Sequence, residues 1–330
     1  MQAKTNMANG DASATSPSPT TVEVGFEFVH PANIDRDRLE LAIAPLKRLP
    51  LGGSVRVVVT SDMRASLALR VQPSYSAPFR VDRVGAGRVI AKTVTDLSSS
   101  TEILLDAVVL QPELREHTEM SLARLIEHEG LHLLLRSRGE DAHSLERALA
   151  TSNEADVAYL WLAALVVEEF RIERCICARG SFVTETYADE MSRVLADYRT
   201  AFDLAGSAWG SPDAAADVVA MTNDLMSKVA CMAAQHEFDP AVNETLLASK
   251  DWREFVGTAW NKFVACASEI PDASNALDDQ AASVLVVRFM NGVVRPWCKQ
   301  LGFILHDEGG LVVEPLTEVG AVDPSASAAA

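Results

Sequence analysis

The sequence predicts an α+β fold, in which a small N-terminal mixed sheet packs on one buried helix and a mostly α-helical region follows. Strand-like segments, alternating or rich in β-branched residues, are concentrated before residue 111. From about residue 153 to 303 the apolar spacing is helical nearly throughout. A chain of 330 residues with 48% hydrophobic and 23% charged residues can bury a substantial core.

The first elements follow a β-α-β order. Residues 22–29 alternate like a strand, residues 35–49 have helical spacing, and residues 54–60 (SVRVVVT) are rich in valine. Two further strand-like segments, residues 79–84 and 88–93, flank a glycine-containing turn and predict a hairpin.

A buried strand and a buried helix come next in the predicted order. Residues 102–110 (EILLDAVVL) form a continuous apolar run that ends before a proline. Residues 117–136 have helical spacing with leucine on most sides, which leaves no broad polar face. Gly139 is placed to end this helix. We therefore expect the helix to be buried against the sheet.

The two ends of the chain differ in composition from the rest. Residues 1–21 and 320–330 are rich in small and polar residues with little to bury, which predicts disordered tails. Between them we expect a subdomain built on the sheet over residues 22–180 and a helical subdomain over residues 181–319.

Charge and targeting features exclude several classes of function. The chain has 29 basic and 46 acidic residues, a net charge of -17, which repels phosphate backbones and argues against a nucleic-acid partner. The N-terminal residues lack the apolar segment of a secretory signal, and residues 160–167 are too short an apolar run to cross a membrane. The odd number of cysteines, 5, fits reduced thiols. We expect a cytoplasmic protein without a membrane partner. The sequence does not indicate whether the chain forms oligomers.

Residues 128–132 (HEGLH) form an H-E-x-x-H motif inside the predicted buried helix. The imidazoles of His128 and His132 lie about 40° apart on the helix, so both can reach one metal ion. Glu129 lies on an adjacent flank, where its carboxylate can contact a metal-bound water. A chain with 7 histidines should contain this pattern by accident roughly once in a hundred cases. The alternative is a pair of hydrogen-bonded core histidines.

A catalytic zinc site has three protein ligands and one open position, so a third ligand is needed. The extended motif that ends in a third histidine is absent, because Leu135 and Arg138 occupy its diagnostic places. On the next predicted helix, Glu169 lies in the apolar stripe, and Glu168 lies about 100° away at the margin of that stripe. We prefer Glu169 as the third metal ligand.

Glu173 shares the apolar stripe with Glu169, about 40° away. Two like charges one turn apart are unfavourable when buried unless a cation or hydrogen-bond donors compensate. We therefore expect Glu169 to bind the metal and Glu173 to accept the outer N–H of a metal-bound imidazole. In the alternative, both glutamates pair with buried arginines.

These motifs together resemble the zincin metallopeptidases, and most of all their glutamate-ligand branch, the gluzincins. In that family an edge strand precedes the H-E-x-x-H helix, and a later helix supplies a ligand glutamate followed one turn on by an acidic residue. Residues 102–110, 128–132 and 169–173 occupy those places. The family pattern N-E-x-x-x-D is replaced by Glu168-Glu169-Phe-Arg-Ile-Glu173, which leaves both Glu168 and Glu169 open as ligands.

The resemblance implies a function as well as a fold. It implies that Zn²⁺ is bound in a zincin-like catalytic subdomain, with the helical subdomain completing the cleft. A metal-activated water would hydrolyse a peptide or protein substrate, with Glu129 as general base. Candidate donors for the oxyanion are Tyr187, Tyr198 and His236. Two alternatives stay open: a non-catalytic zinc-binding module for protein interaction or regulatory sensing, and a hydrolase that acts on another bond.

Overall fold

A computed structural model describes residues 20–70, 82–83, 87–88, 90–95, 100–111, 119–149, 151–180, 186–205, 212–240 and 249–316. Most of the predicted N-terminal tail and all of the predicted C-terminal tail lie outside these ranges. Within them the architecture is α+β, as predicted: a small mixed N-terminal sheet is followed by a helical C-terminal part.

In the described part of the chain, six strands precede the long helices: β1 (Thr21–Glu27), β2 (Ser54–Thr60), β3 (Asp82–Arg83), β4 (Gly87–Arg88), β5 (Ala91–Thr95) and β6 (Thr101–Asp106). Four of them form one sheet in the spatial order β1-β2-β6-β5. β1, β2 and β6 are parallel, whereas β5 runs antiparallel to β6. Of the predicted hairpin, the described residues of β3 and β4 pair with each other, whereas residues 91–95 belong to the main sheet.

The order β1, helix, β2 follows from the sequence pattern. Helix α1 (Arg36–Ile43) connects β1 to β2, and its N-terminus is capped by Asp35, which accepts a hydrogen bond from the Arg38 N–H at 3.1 Å. β2 is an inner parallel strand, and Val57 and Val58 on its opposite faces are both fully buried. A continuous valine run suits a strand covered on both faces.

The expectation that residues 102–110 form an edge strand is wrong. Strand β6 lies inside the sheet between β2 and β5, with both of its faces buried. It ends at Asp106, whose side chain accepts the Val108 N–H at 3.0 Å and starts a 3-10 turn over Ala107–Leu110. The edge of the sheet on this side is β5.

The helices after α1 are α2 (Met63–Ala68), α3 (Glu119–Ser137), α4 (Ala142–Ala148), α5 (Glu154–Ala178), α6 (Thr186–Ala205), α7 (Pro212–Phe238), α8 (Lys250–Phe255), α9 (Gly257–Ala267), α10 (Asp279–Phe289) and α11 (Arg295–Gln300). A C-terminal hairpin of β7 (Phe303–Asp307) and β8 (Leu311–Pro315) follows. Among the described helices, none combines the length and the apolar character needed to cross a membrane.

Helix α3 carries the H-E-x-x-H motif and packs between the sheet and the helical region. It ends as predicted: Gly139 has φ of 71°, and its N–H donates to the Arg136 carbonyl. A Cβ on Gly130 would lie 2.4 Å from Leu46 Cδ2 and 2.7 Å from Leu49 Cδ1. The absence of a side chain at Gly130 therefore leaves room for the buried side chains of Leu46 and Leu49.

Helix α5 belongs to two hydrophobic cores. Ile172 and Ile176 join the core formed by the sheet, α1 and α3, whereas Leu162 and Val166 join the larger core of the helical region. All four side chains are fully buried. The helix is thus fixed on both sides, which sets its position relative to α3.

Candidate metal centre

The structure brings His128, His132 and Glu169 together between α3 and α5. The two Nε2 atoms of the histidines lie 3.2 Å apart. Glu169 Oε2 lies 3.2 Å from His128 Nε2, and Glu169 Oε1 lies 3.7 Å from His132 Nε2. Among the described residues, these three form the one group that could hold a metal ion, with candidate ligand atoms all within 4.8 Å of one another.

This geometry fits a small divalent cation. Ligand bonds of about 2.0–2.2 Å in a tetrahedral arrangement put ligand atoms roughly 3.3–3.6 Å apart, close to the separations within this group. Two imidazole nitrogens and a carboxylate are a donor set that suits zinc. Both Nε2 atoms point toward the same small volume, which would be unfavourable for two neutral acceptors without a proton or a cation between them. The group could therefore hold a metal ion.

Glu168 contacts the outer side of one histidine. Its Oε1 lies 2.5 Å from His132 Nδ1, and its Oε2 accepts the backbone N–H of Ala142 at 2.7 Å. Burial alone would lower the pKa of the His132 imidazole, but the charge and hydrogen bond of Glu168 outweigh it and raise the pKa to about 9. The contact leaves Nε2 of His132 directed at the cluster.

Glu169 is held as a carboxylate by the histidines. Burial would raise the pKa of its carboxyl group, but the charge and hydrogen bond of His128 outweigh burial and hold the pKa well below its usual range. The side chain of Glu169 is 18% exposed, against 7% for Glu168. Of the two glutamates that the motif left open, the more accessible one therefore faces the cluster.

The predicted hydrogen bond from a bound imidazole to Glu173 is absent. His128 Nδ1 lies 3.9 Å from Glu173 Oε2, which is beyond hydrogen-bond distance. Glu173 instead forms an ion pair with Arg124 and accepts a hydrogen bond from Gln235 Nε2 at 3.3 Å. The alternative of pairing with a buried arginine thus holds for Glu173.

Glu129 lies next to the cluster and is fixed by the edge strand. Its Oε2 accepts the backbone N–H of Thr93 at 2.6 Å, and its backbone carbonyl accepts the Thr93 hydroxyl at 2.9 Å. Burial opposes ionisation of Glu129, but the nearby positive charges, that of His132 first, outweigh it and lower the pKa of the carboxyl group. Glu129 is therefore an ionised acceptor beside the histidines.

The outer side of β5 carries backbone groups that β6 does not use. The Ile90 carbonyl accepts the Asp106 N–H at 2.7 Å, so residue 90 belongs to a hydrogen-bonded pair with β6. The antiparallel alternation then directs the backbone groups of Ala91, Thr93 and Thr95 away from β6. In the described part of the chain, no strand pairs with β5 on that side.

Two of the three predicted oxyanion donors, Tyr198 and His236, make their described contacts within the helical region. The Tyr198 hydroxyl lies 3.3 Å from Thr222 Oγ1 inside the helical core, and His236 packs edge-on against Trp260. Tyr187 lies in α6, and its side chain falls outside the described part of the chain. A lone tyrosine or histidine on a helix gives no signal of its distance from a site on another helix.

Three residues near the cluster were not singled out from the sequence: Thr93, Arg124 and Gln235. Thr93 and Gln235 lie far from the motif in sequence, and only the packing of β5 and α7 brings them to it. Arg124 lies one turn before His128 on the same helix, and this spacing could have indicated that it faces the same partner helix.

No family model matches the chain, and searches of the curated proteins and of the solved structures give no match. The fold and the site together define an α+β protein with a His128, His132 and Glu169 group that could bind a metal ion and is consistent with an H-E-x-x-H motif.

Proposed function

We propose that this protein is a zinc-dependent metallopeptidase of the zincin type, with a gluzincin-like ligand set. The observation that carries the proposal is the convergence of His128, His132 and Glu169, with Glu169 Oε2 3.2 Å from His128 Nε2. A structural zinc site is usually closed by four protein ligands, whereas this group offers three and has Glu129 beside it, as a catalytic site would.

His128 and His132 would hold the ion through their Nε2 atoms, and Glu169 would hold it through its carboxylate. When bound there, zinc would supply a Lewis acid that makes water nucleophilic near neutral pH and polarises a carbonyl group. Glu168 keeps His132 in the orientation and tautomer that this role requires.

Glu129 is the proposed general base and then general acid. It takes a proton from the attacking water at its carboxylate and returns it to the leaving amine. Water thus adds across the peptide bond: the hydroxyl goes to the carbonyl carbon, the proton goes to the nitrogen, and the C–N bond breaks. The contact between Glu129 and Thr93 keeps the carboxylate on the β5 side of the cluster.

An extended peptide suits the surroundings of the cluster. Such a chain can pair, as an added strand, with the outward backbone groups of β5 other than the Thr93 N–H, which Glu129 already accepts. Thr93, which contacts Glu129, lies at the centre of β5, so the paired chain would pass beside the general base. We therefore propose a peptide or protein as the substrate. Hydrolysis of a non-peptide bond fits these surroundings less well.

The test combines metal analysis with a Glu129→Gln variant. Purified wild type should contain about one zinc per chain and should cleave a peptide library, and the variant should retain zinc while kcat falls at least about 100-fold. Glu154→Gln, at an exposed position at the start of α5, removes the same charge far from the general base and serves as the matched control.

The outcomes separate the proposal from its alternative. Zinc bound by both forms with cleavage by neither would favour the non-catalytic zinc-binding module. Cleavage that persists in Glu129→Gln would remove Glu129 from the mechanism. Absence of zinc after metal reconstitution would overturn the proposal.

A further inference from the structure

Helices α3 and α5 each carry a line of accessible residues that includes candidate metal ligands, and the cleft between the two lines contains the cluster. On α3, every position from Ile126 to Leu135 is buried except His128 and His132, and the next accessible position is Arg136. These three residues are spaced four apart, so they lie along one face of the helix. The face that holds the candidate metal ligands therefore continues to a guanidinium.

Helix α5 has a matching line. From Ala158 to Glu173 only three positions are partly exposed, namely Trp161, Leu165 and Glu169, again four apart. Leu165 therefore lies about 6 Å along the helix from Glu169, and Trp161 about 12 Å. The line leads from the cluster over apolar surface.

The two lines run antiparallel across the cleft. Arg124 pairs with Glu173, and His132 contacts Glu168, so residues later on α3 meet residues earlier on α5. Beyond the end of α3, His143 packs edge-on against Trp161 with ring centroids 6.5 Å apart. Arg136 lies between His132 and His143 in the sequence, and Leu165 lies between their partners on α5. The antiparallel order therefore places Arg136 opposite Leu165.

Arg136 differs from the other cationic residues in this part of the structure. Arg124 is paired with Glu173, and Arg138 donates to the Ala273 carbonyl at 2.9 Å. Within the described ranges, the side chain of Arg136 has no ion-pair or hydrogen-bond partner. Arg136 is partly buried, and its guanidinium has the donors to bind an anionic group that enters the cleft.

We propose that the cleft beyond His132 is a substrate subsite in which Arg136 binds a carboxylate while Leu165 and Trp161 receive an adjacent apolar side chain. This inference rests on the proposed peptidase function and specifies its substrate class. Arg136 follows His132 by one helical turn, and a long side chain brings its donors within reach of a residue next to the scissile bond. The carboxylate is either the free C-terminus of the peptide or an acidic side chain.

Binding is measured by calorimetry on zinc-loaded Glu129→Gln protein, so that ligand is not consumed. Three ligands separate the two sources of the carboxylate: acetyl-Gln-Phe with a free C-terminus, acetyl-Gln-Phe amide and acetyl-Glu-Phe amide. At least one acid should bind about 10- to 100-fold more tightly than the neutral amide. Adding Arg136→Gln should abolish that preference, whereas Arg147→Gln, an exposed arginine on α4, should leave it intact.

A second pair of ligands tests the apolar part of the subsite. Replacement of phenylalanine by alanine in the preferred acid should weaken binding, and Trp161→Leu should reduce that difference several-fold. Equal binding of all three ligands, or an acid preference that survives Arg136→Gln, would overturn the subsite. The measurement involves no cleavage, so it tests the subsite separately from the peptidase function. If the wild type hydrolyses no peptide but the acid preference still depends on Arg136, the subsite proposal stands and the peptidase proposal fails.

Discussion

His132 and Glu168 are joined by a 2.5 Å contact between the imidazole Nδ1 and the carboxylate Oε1. The second oxygen of the same carboxylate accepts the N–H of Ala142 at the start of α4. One side chain of α5 thereby orients a candidate metal ligand on α3 and fixes the chain that follows α3. Outer contacts of this kind fix the tautomer of a histidine ligand and raise its basicity.

The first prediction concerns the zinc affinity of Glu168→Gln. The amide keeps an acceptor near His132 but removes the charge, so zinc affinity should fall about 10- to 100-fold. Competition with a chromophoric chelator measures this change. Glu154→Gln should retain wild-type affinity, and unchanged affinity in Glu168→Gln would show that the contact with His132 does not tune metal binding.

The second prediction concerns the pH dependence of stability in the metal-free protein. The pKa of His132 is raised from 6.5 to about 9, so the stabilising contribution of its charged form is complete below pH 6.5 and is lost as pH rises through about 9. In the presence of chelator, the free energy of unfolding in urea should fall across this interval. Glu168→Gln should flatten the decline, because Glu168 is the main source of the raised pKa. An equally steep decline in that variant would contradict the assignment.

The third prediction concerns Gly130→Ala. Alanine favours a helix by up to about 1 kcal/mol over glycine, but its Cβ would lie 2.4 Å from Leu46 Cδ2, and overpacking costs about 1–3 kcal/mol. The free energy of unfolding should therefore fall by about 1–2 kcal/mol, as measured in urea. Gly292→Ala, where a Cβ would meet nothing within 4 Å, is the control and should be neutral or stabilising. A stabilised Gly130→Ala would mean that Leu46 and Leu49 repack freely.

The fourth prediction concerns the buried ion pair of Arg171 and Glu140. Arg171 Nη2 lies 2.6 Å from Glu140 Oε2, and the two side chains are 1% and 3% exposed. Arg171→Met leaves the Glu140 charge buried without its partner and should cost about 3–5 kcal/mol in urea denaturation.

An exposed pair provides the control for that measurement. Arg288 and Glu269 are more than half exposed, so Arg288→Met should change the free energy of unfolding by less than about 1 kcal/mol. The double variant Arg171→Met with Glu140→Leu should be less destabilised than Arg171→Met alone, because no buried charge is left unpaired. Equal losses in these two variants would indicate that Arg171 acts through its hydrogen bonds to the Pro271 and Asn275 carbonyls.

Much of the fold could be predicted because its signals are local. The valine run of β2 and the glycine that ends α3 each depend on neighbouring residues alone, and both elements occur where they were predicted. The edge strand could not be predicted in this way. The run of residues 102–110 reads as buried, but whether a buried strand is central or at the edge depends on where β5 pairs.

The chemistry of the site was predicted in part for a similar reason. The spacing of His128 and His132 decides by itself that the two side chains share a helix face. It does not decide what lies opposite that face. The ion pair of Glu173 with Arg124 depends on α3 packing against α5, and the hydrogen bond from Gln235 depends on α7 packing against α5. These contacts between helices removed Glu173 from its predicted role.

Local patterns along the chain were enough to predict the fold class, the helix that carries the H-E-x-x-H motif and the two glutamates able to complete the candidate metal site. The three-dimensional arrangement was needed to show that Glu169 faces the histidines while Glu168 contacts the outer nitrogen of His132, and that Thr93 on β5 holds Glu129. These are contacts between elements, and such contacts depend on how the elements are packed together. That packing is set by the two cores that fix α5, and no periodicity within a single helix records it.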